Sequence, residues 1–406
     1  MGGSNSREEI GPLSNPMFFS PQELKDLECA FELGAIEEIN SLIQEKVNNL
    51  KSTELHIAVT GEAGVGKSTF INAFRGLRSS DEGAAKSGNT ERTMKPTQYK
   101  HPNFDEVSFW DLPGIGTTKI PFEQYFSKMK FELYNFFIII SSGRFTKNDA
   151  SIAQNIKSLR KNFYFVRSKI DNDLRAHQLS HAQANNDAEL TKIRDYCTDG
   201  LRKAGISEPK VFLISSFQVN DFDFPELKET LANNLDDIRK DIFLRTLPST
   251  TSKFVEQKRD QLKNRTWILA AHAVSLGAVP IPGMDIVCDL GMLVTAIEEF
   301  REFFGLDDAS LQRLANVTGK PVEVLKSEVK TSLAGEINKD LVKSMLLRSR
   351  YVDTADNMPF LKKIPIIGPR YQLGKSQKIT ENLLNDILSE FAKNAQRVVD
   401  TAFDTD

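Results

Sequence analysis

The hydrophobic pattern changes period twice along the chain. Apolar residues first recur every three or four positions, at Ile36, Ile39, Ile43 and Val47, which is the spacing of one helical face. Ahead of them, Ser20-Pro21-Gln22-Glu23 is a capping box with proline at the first helical position. Residues 20–50 therefore read as one helix, or as two broken near Gly34. From Glu54 short apolar runs take over, at 54–60, 106–111, 135–141, 162–168 and 210–215. Helix-like segments alternate with them at 67–77, 122–133, 149–161, 188–204 and 225–235. Apolar strands separated by helices imply a mainly parallel sheet covered on both faces. The polar stretch 79–104 leaves room for one edge strand near its end, and 172–187 reads as a long polar insertion.

After about residue 238 the strand signal stops. Residues 252–266 are charged and helix-friendly, and 379–398 place Ile379, Leu383, Ile387, Phe391, Ala395 and Val398 on one face. The pattern predicts an α/β domain over 51–237, between an N-terminal segment, 1–50, and a C-terminal helical domain, 238–406, with which the N-terminal helix packs. One apolar stretch, 267–297, approaches the length of a spanning helix. Pro280, Pro282 and Gly283 interrupt it and Asp285 and Asp289 charge it, so two short buried helices joined by a PIPG turn are expected over a membrane-contacting hairpin.

Composition narrows the partners. The chain has 406 residues and a formal net charge of −3, which gives no global pull toward nucleic acid or acidic lipid. No basic module after residue 238 points to RNA. Cys29, Cys197 and Cys288 are odd in number and far apart, a pattern of a reducing compartment rather than a disulfide framework. The start, Met1-Gly2-Gly3-Ser4-Asn5-Ser6, lacks an apolar signal core but fits N-myristoylation at Gly2, or else is a polar tail.

Three motifs carry chemistry. Gly61-Glu62-Ala63-Gly64-Val65-Gly66-Lys67-Ser68, followed by Thr69, fits GxxxxGK[ST] between an apolar strand and a helix. Its backbone amides ring phosphates, the helix adds its positive end, Lys67 neutralises the β- and γ-phosphates and Ser68 reaches Mg²⁺. Asp111-Leu112-Pro113-Gly114 ends the second core strand, placing Asp111 for the Mg²⁺ shell and the Gly114 amide for a γ-phosphate. Ser168-Lys169-Ile170-Asp171 is close to [NT]KxD: the Asp171 carboxylate accepts two N–H bonds from guanine, and Lys169 lies across the base. Adenine presents an acceptor at one of those positions, so GTP or GDP is preferred over adenine nucleotides. Ser215 and Ser216 follow the last strand, where backbone contacts to the base are expected. At Ile115, where a glutamine often orients the attacking water, no side chain holds one.

Two other groups are weaker. His177 and His181 are spaced i,i+4 but have no third ligand, so they read as solvated histidines rather than a metal site. Residues 357–380 carry Lys362, Lys363, Arg370, Lys375 and Lys378 without an acid, which reads as an exposed loop or as a lipid-facing basic patch.

The strings GEAGVGKSTFINAFRG, EGAAKSG, YKHPN, VSFWDLPGIGTT, YNFFIIIS, RFTKND and NFYFVRSKID resemble the immunity-related, interferon-inducible GTPases. The resemblance implies a Ras-like nucleotide domain inserted in an all-α helical domain. It implies a dynamin-like GTPase that self-assembles with GTP on intracellular membranes around pathogens, through dimers or oligomers built across the nucleotide face. Related GTPases are further partners, and the location is cytoplasmic with part on endomembranes or pathogen vacuoles. Lys67, in place of the methionine of the regulatory branch, implies an effector; the alternative is a binder of GTP or GDP that barely hydrolyses it and regulates relatives. By the same resemblance Glu91 positions water, Thr93 is the switch threonine at the Mg²⁺ site, and Arg144 contributes across the dimer. Lys147 and Asp149 match nearby interface positions, while Thr146 replaces a frequently basic residue. Gly2 matches an acylated glycine, for which the basic patch supplies the second membrane signal that one acyl chain needs.

Overall fold

The computed structural model describes residues 22–23, 25–26, 29–30, 35–86, 95–115, 122–180, 185–247, 249, 251–277, 288–348 and 367–403. The chain divides into two compact units, one of residues 53–246 and one that joins residues up to Ser52 with those from Leu247 onward.

The first unit is built on a six-stranded sheet: β1 (Leu55–Gly61), β2 (Thr97–His101), β3 (Phe104–Asp111), β4 (Phe136–Ser141), β5 (Asn162–Arg167) and β6 (Val211–Leu213). Their order across the sheet is β2-β3-β1-β4-β5-β6. All neighbours run parallel except β2, which pairs antiparallel with β3 at one edge. Every residue of β4 is buried, as expected of a central strand with both faces covered. β1 has β3 on one side and β4 on the other. The chain thus reverses its direction of winding at the carboxyl end of β1, and at such a switch point an open α/β sheet leaves a crevice for a ligand.

The helices of this unit follow in chain order. α2 (Lys67–Phe74) leaves the end of β1; α3 (Phe122–Met129), α4 (Lys147–Ser158), α5 (Ile170–Ser180) and α6 (Asn186–Lys203) follow; α7 (Phe224–Asn233) and α8 (Asp237–Thr246) close it. One core cluster joins Ala58, Phe137, Ile139 and Phe165 of the sheet to Tyr125, Met129, Ile152, Ile156 and Leu201 of the helices. An aromatic cluster forms another, with the Phe74 ring 5.2 Å from Phe109, 5.8 Å from Phe224 and 6.0 Å from Phe243.

Two expectations change here. The segment 172–187 is not an insertion without structure: α5 covers 170–180 and α6 begins at Asn186, with 181–184 outside the described residues. α5 buries only Ile170 and Leu174, one turn apart, too few apolar positions to show a helical period. The division between units falls after Thr246 rather than after 237. α8 carries Phe243 into the aromatic cluster and packs against β1 and β3, so it belongs to the sheet although the strand pattern has ended.

The second unit is helical: α1 (Ile36–Ser52), α9 (Ser252–Leu276), α10 (Leu290–Phe304), α11 (Asp308–Thr318), α12 (Val322–Ser327), α13 (Lys339–Arg348) and α14 (Ile367–Phe403). α9 packs along α14 and also meets α1 and α10. Ile379, Leu383, Ile387, Phe391, Ala395 and Val398 of α14 are all buried. α9 corrects the reading of 267–297: its apolar half continues the charged 252–266 without a break. The PIPG turn lies outside the described residues. No helix among the described residues is long and apolar enough to cross a membrane. In the basic segment, Arg370, Lys375 and Lys378 lie on α14 rather than in a loop, while Lys362 and Lys363 fall outside the described residues.

Candidate nucleotide site

The glycine loop joins β1 to α2 at the switch point. Gly66 is the N-cap of α2 with φ 102°, a left-handed conformation that side chains resist, and it has no side chain with which to cap the helix. The first amides of α2 therefore face the loop, ready for an anion. Gly114 faces the loop from β3: a Cβ there would stand 2.6 Å from the Ala63 nitrogen, so only glycine lets the Asp111–Gly114 turn lie this close.

Lys67 is buried, with Nζ donating to the carbonyls of Glu62 at 2.8 Å and Gly61 at 3.3 Å. Burial lowers its pKa to about 8, opposed by the charges of Asp111 and Glu62. The Ser68 hydroxyl donates to Asp111 Oδ2 at 2.5 Å. These two oxygens, side by side at the loop, are hard donors of the kind Mg²⁺ takes alongside substrate phosphates. Thr93, expected to join them, and Glu91 lie outside the described residues, as does Gly2.

Ile115 is 3% exposed and belongs to the core cluster of Leu112, Tyr125 and Met129. Its amide donates to the Gly61 carbonyl at 3.1 Å. The position after the glycine is thus spent on packing and on fixing the turn to the loop.

The Ser168–Asp171 turn braces the glycine loop. The Ser168 hydroxyl donates to the Val65 carbonyl at 2.8 Å, and Lys169 Nζ donates to the Gly64 carbonyl at 2.8 Å. Asp171 is half-buried in the first turn of α5. Beyond β6, Ser215 is buried and its hydroxyl accepts from the Phe217 amide at 3.3 Å, while Ser216 is half-exposed and Thr69, in the first turn of α2, is too. The structure thus gathers the glycine loop, Asp111, Gly114 and Ser168–Asp171 at the carboxyl ends of β1, β3 and β5.

Arg144 is exposed on the segment between β4 and α4, and Lys147 is exposed at the first position of α4. Gly61 pairs with Ile140, and Asn148 Nδ2 donates to Glu62 Oε1 at 2.9 Å, so this segment runs beside the glycine loop. Asp149, matched to an interface position, is corrected: it is 1% exposed and forms a reciprocal capping box with Thr146. Its carboxylate accepts from the Thr146 amide at 2.9 Å, so it faces inward; burial raises its pKa to about 6. Thr146 accordingly acts as the N-cap of α4. His177 lies 3.8 Å from Glu189, His181 is outside the described residues, and no cluster of metal-ligating residues occurs among the described ones.

Sequence reasoning missed the residues that hold these turns. The Tyr125 hydroxyl donates to the Pro113 carbonyl at 2.8 Å and lies 2.9 Å from Thr60 Oγ1. Burial drives its pKa well above the ordinary tyrosine value. No motif marks it. Arg167 and Asn148 were likewise unmarked, but Thr146-Lys147-Asn148-Asp149 has capping-box spacing and was legible.

Comparison with known proteins extends the picture beyond this site. The family described as "Interferon-inducible GTPase (IIGP)" matches residues 20–394. Interferon-inducible GTPase 5 of Rattus norvegicus is 35% identical over 393 residues, covering 96% of this chain and 84% of its own. Interferon-gamma-inducible GTPase 10 of Mus musculus is 39% identical over 333 residues, with 80% of each chain covered. A solved structure of Toc33 from Arabidopsis thaliana aligns with 45% of this chain and 79% of its own at 13% identity and a TM-score of 0.32, too remote to bear on the site. With the whole sheet-based unit and most of the helical one inside the matched range, and relatives similar over most of their length, the chain belongs to the interferon-inducible GTPase family.

Proposed function

We propose that the protein is a GTP-hydrolysing, dynamin-like effector of cell-autonomous immunity, which self-assembles with GTP on intracellular membranes. Phosphoryl transfer needs the phosphates held, the charge that develops on them stabilised and the water positioned. For the first need, the α2 amides, Lys67 and the Gly114 turn suit a triphosphate. Ser68 and Asp111 suit Mg²⁺, which when bound supplies charge neutralisation at the phosphate oxygens. Asp171 suits guanine.

The observation that carries the reading is the meeting of Lys67, the Ser68–Asp111 pair and the Gly114 turn at the glycine loop; the burial of Ile115 in the core removes the usual water-holding position from the site. Water positioning then falls to Glu91 of the same chain. The added charge falls to Arg144 of a second copy, since Arg144 is exposed on a segment that borders the glycine loop. A supplied arginine is worth about 10³–10⁵ in rate.

Specific GTPase activity measured against protein concentration tests this. A rise with concentration that Arg144→Ala abolishes supports catalysis across the dimer. Negligible turnover at every concentration favours the regulatory binder instead, which the same buried isoleucine also suits. Membrane attachment is proposed to need two signals, an acyl chain on Gly2 and the basic segment around Lys362 and Lys363. Each basic side chain near anionic lipid adds about 1 kcal/mol. Reversing the charge of both lysines is expected to weaken binding to anionic liposomes, and unchanged binding would remove this element.

A further inference from the structure

The turn that carries Asp171 is an awkward piece of backbone. β5 ends at Arg167, which pairs with Ser141 of β4. The chain then leaves the sheet through Ser168, whose amide donates to the Ser141 carbonyl at 2.8 Å. Lys169 has φ 62°, a left-handed conformation that is costly for any residue with a Cβ. The amides of Asn172 and Asp173 fold back on the Lys169 carbonyl at 3.1 and 3.3 Å. Such a turn persists only where its surroundings hold it.

One side chain holds it at both ends. Arg167 Nη1 donates to the Ser168 carbonyl at 2.6 Å, just before the left-handed residue. Arg167 Nη2 donates to Asp173 Oδ2 at 2.6 Å, two residues beyond Asp171. The Arg167 side chain is 8% exposed and that of Asp173 is 32% exposed. The planar guanidinium sends its two N–H groups in fixed directions, so it sets the distance between those two points as a flexible ammonium does not. Asp171 lies between the two anchored points. The other side of the same turn is tied to the glycine loop through Ser168 and Lys169.

We propose that Arg167 and Asp173 form a specificity clamp, a pair of positioning residues that aim the Asp171 carboxylate at the donor edge of guanine. The inference rests on the reading of Asp171 as the guanine acceptor. Neither member of the clamp touches the base; both act through the turn. Guanine donates from N1–H and from its 2-amino group, whereas hypoxanthine keeps N1–H and lacks the amino group. A well-aimed carboxylate therefore distinguishes GDP from IDP, and a carboxylate free to drift does so less.

The test uses the full chain and equilibrium affinities for GDP, IDP and ADP. Arg167→Lys keeps the charge but loses the fork; Asp173→Asn keeps an acceptor but loses the charge. In each, the ratio of GDP to IDP affinity is expected to fall about tenfold, the order of one charge-assisted hydrogen bond, with IDP affinity changing less than about threefold. The double variant Arg167→Met/Asp173→Leu leaves no buried charge unpaired, so it guards against unfolding of the single variants, and it is expected to show the same loss of ratio. An unchanged ratio, or equal loss of GDP and IDP affinity, overturns the clamp, since a pair that only supports the fold weakens all nucleotides alike. A parent protein that binds ADP or IDP as tightly as GDP overturns instead the guanine reading beneath it.

Discussion

Among the described residues, each unit buries one lysine among backbone carbonyls, and the two are wired differently. In the sheet-based unit, Lys67 donates to Gly61 and Glu62, six and five residues away in its own loop. In the helical unit, Lys258 of α9 gathers distant segments: the carbonyl of Leu247 at 2.6 Å, the Ser249 hydroxyl at 3.3 Å and the carbonyl of Phe303 at 2.7 Å. Phe303 lies in the last turn of α10, where carbonyls have no partner within the helix, so Lys258 caps α10 and fastens the start of the unit to it. Carboxylates differ as well. Among the described residues, Asp111 and Glu62 both act on the charge of Lys67, but a single carboxylate, Asp307, acts on that of Lys258. A lysine tied to its own loop is free to serve a ligand, whereas one that ties three segments serves the fold.

The largest expected effect is at Lys258. Burial lowers its pKa from 10.5 to about 7. Between those values the folded chain binds fewer protons than the unfolded chain, so the lysine's contribution to stability rises with pH. Urea unfolding at several pH values is expected to show parent and Lys258→Met diverging by about 1.4 kcal/mol per pH unit, or about 4 kcal/mol from pH 7 to 10. GDP affinity stays unchanged. Parallel stability profiles would break the comparison, because Lys258 would then not be the charge-starved member of the two.

Lys67→Ala is expected to have the converse signature, a loss of about 100-fold or more in GTP and GDP affinity with the urea midpoint at pH 7 nearly unmoved. A phosphate favours the ammonium form, so parent affinity falls as pH rises through about 8, by up to about tenfold per unit. The variant lacks that slope. Equal affinities in parent and variant would show that Lys67 is as structural as Lys258.

This difference also marks what the sequence shows by itself. Lys67 stands at a fixed place in a spaced motif, as do Asp111, Gly114 and Asp171, because ringing phosphates demands particular residue types at particular separations. The buried face of α14 was legible for a similar reason, since burial repeats every three or four residues. Lys258 carries no such mark: it lies among the charges of 252–266, and only the tertiary fold brings Leu247 and Phe303 to it. Tyr125 and the Arg167–Asp173 pair are hidden in the same way, for each holds a turn by bonds across long or unpatterned separations. α8 lies past the last strand yet packs on the sheet, because the end of a strand pattern is not the end of a core.

Asp149 sharpens the comparison from the acidic side. Burial raises its pKa from 3.8 to about 6, so between these values the folded chain binds more protons than the unfolded chain and stability falls as pH rises. Asp149→Asn keeps an acceptor for Thr146 but has no charge to bury. The parent is expected to lose about 2 kcal/mol relative to the variant between pH 4 and pH 6, measured by urea unfolding. A parent that gains over this interval would mean that the capping hydrogen bonds outweigh desolvation, and that this buried charge belongs with the well-served groups rather than the starved ones.

The smallest expected effect comes from Tyr125, a buried polar group with no charge at stake. Tyr125→Phe keeps the ring in the core and deletes the hydroxyl between Thr60 and Pro113. One carbonyl and one hydroxyl lose a partner, which costs about 1–2 kcal/mol where water does not enter. Because Tyr125 donates to the Pro113 carbonyl in the Asp111–Gly114 turn, the proposed contact of the Gly114 amide with the last phosphate makes affinity for GTP expected to drop more than affinity for GDP. Equal losses for the two nucleotides would place the tyrosine with Lys258, among groups that only hold the fold. A selective loss of GTP places it with Lys67, among groups whose packing sets the chemistry.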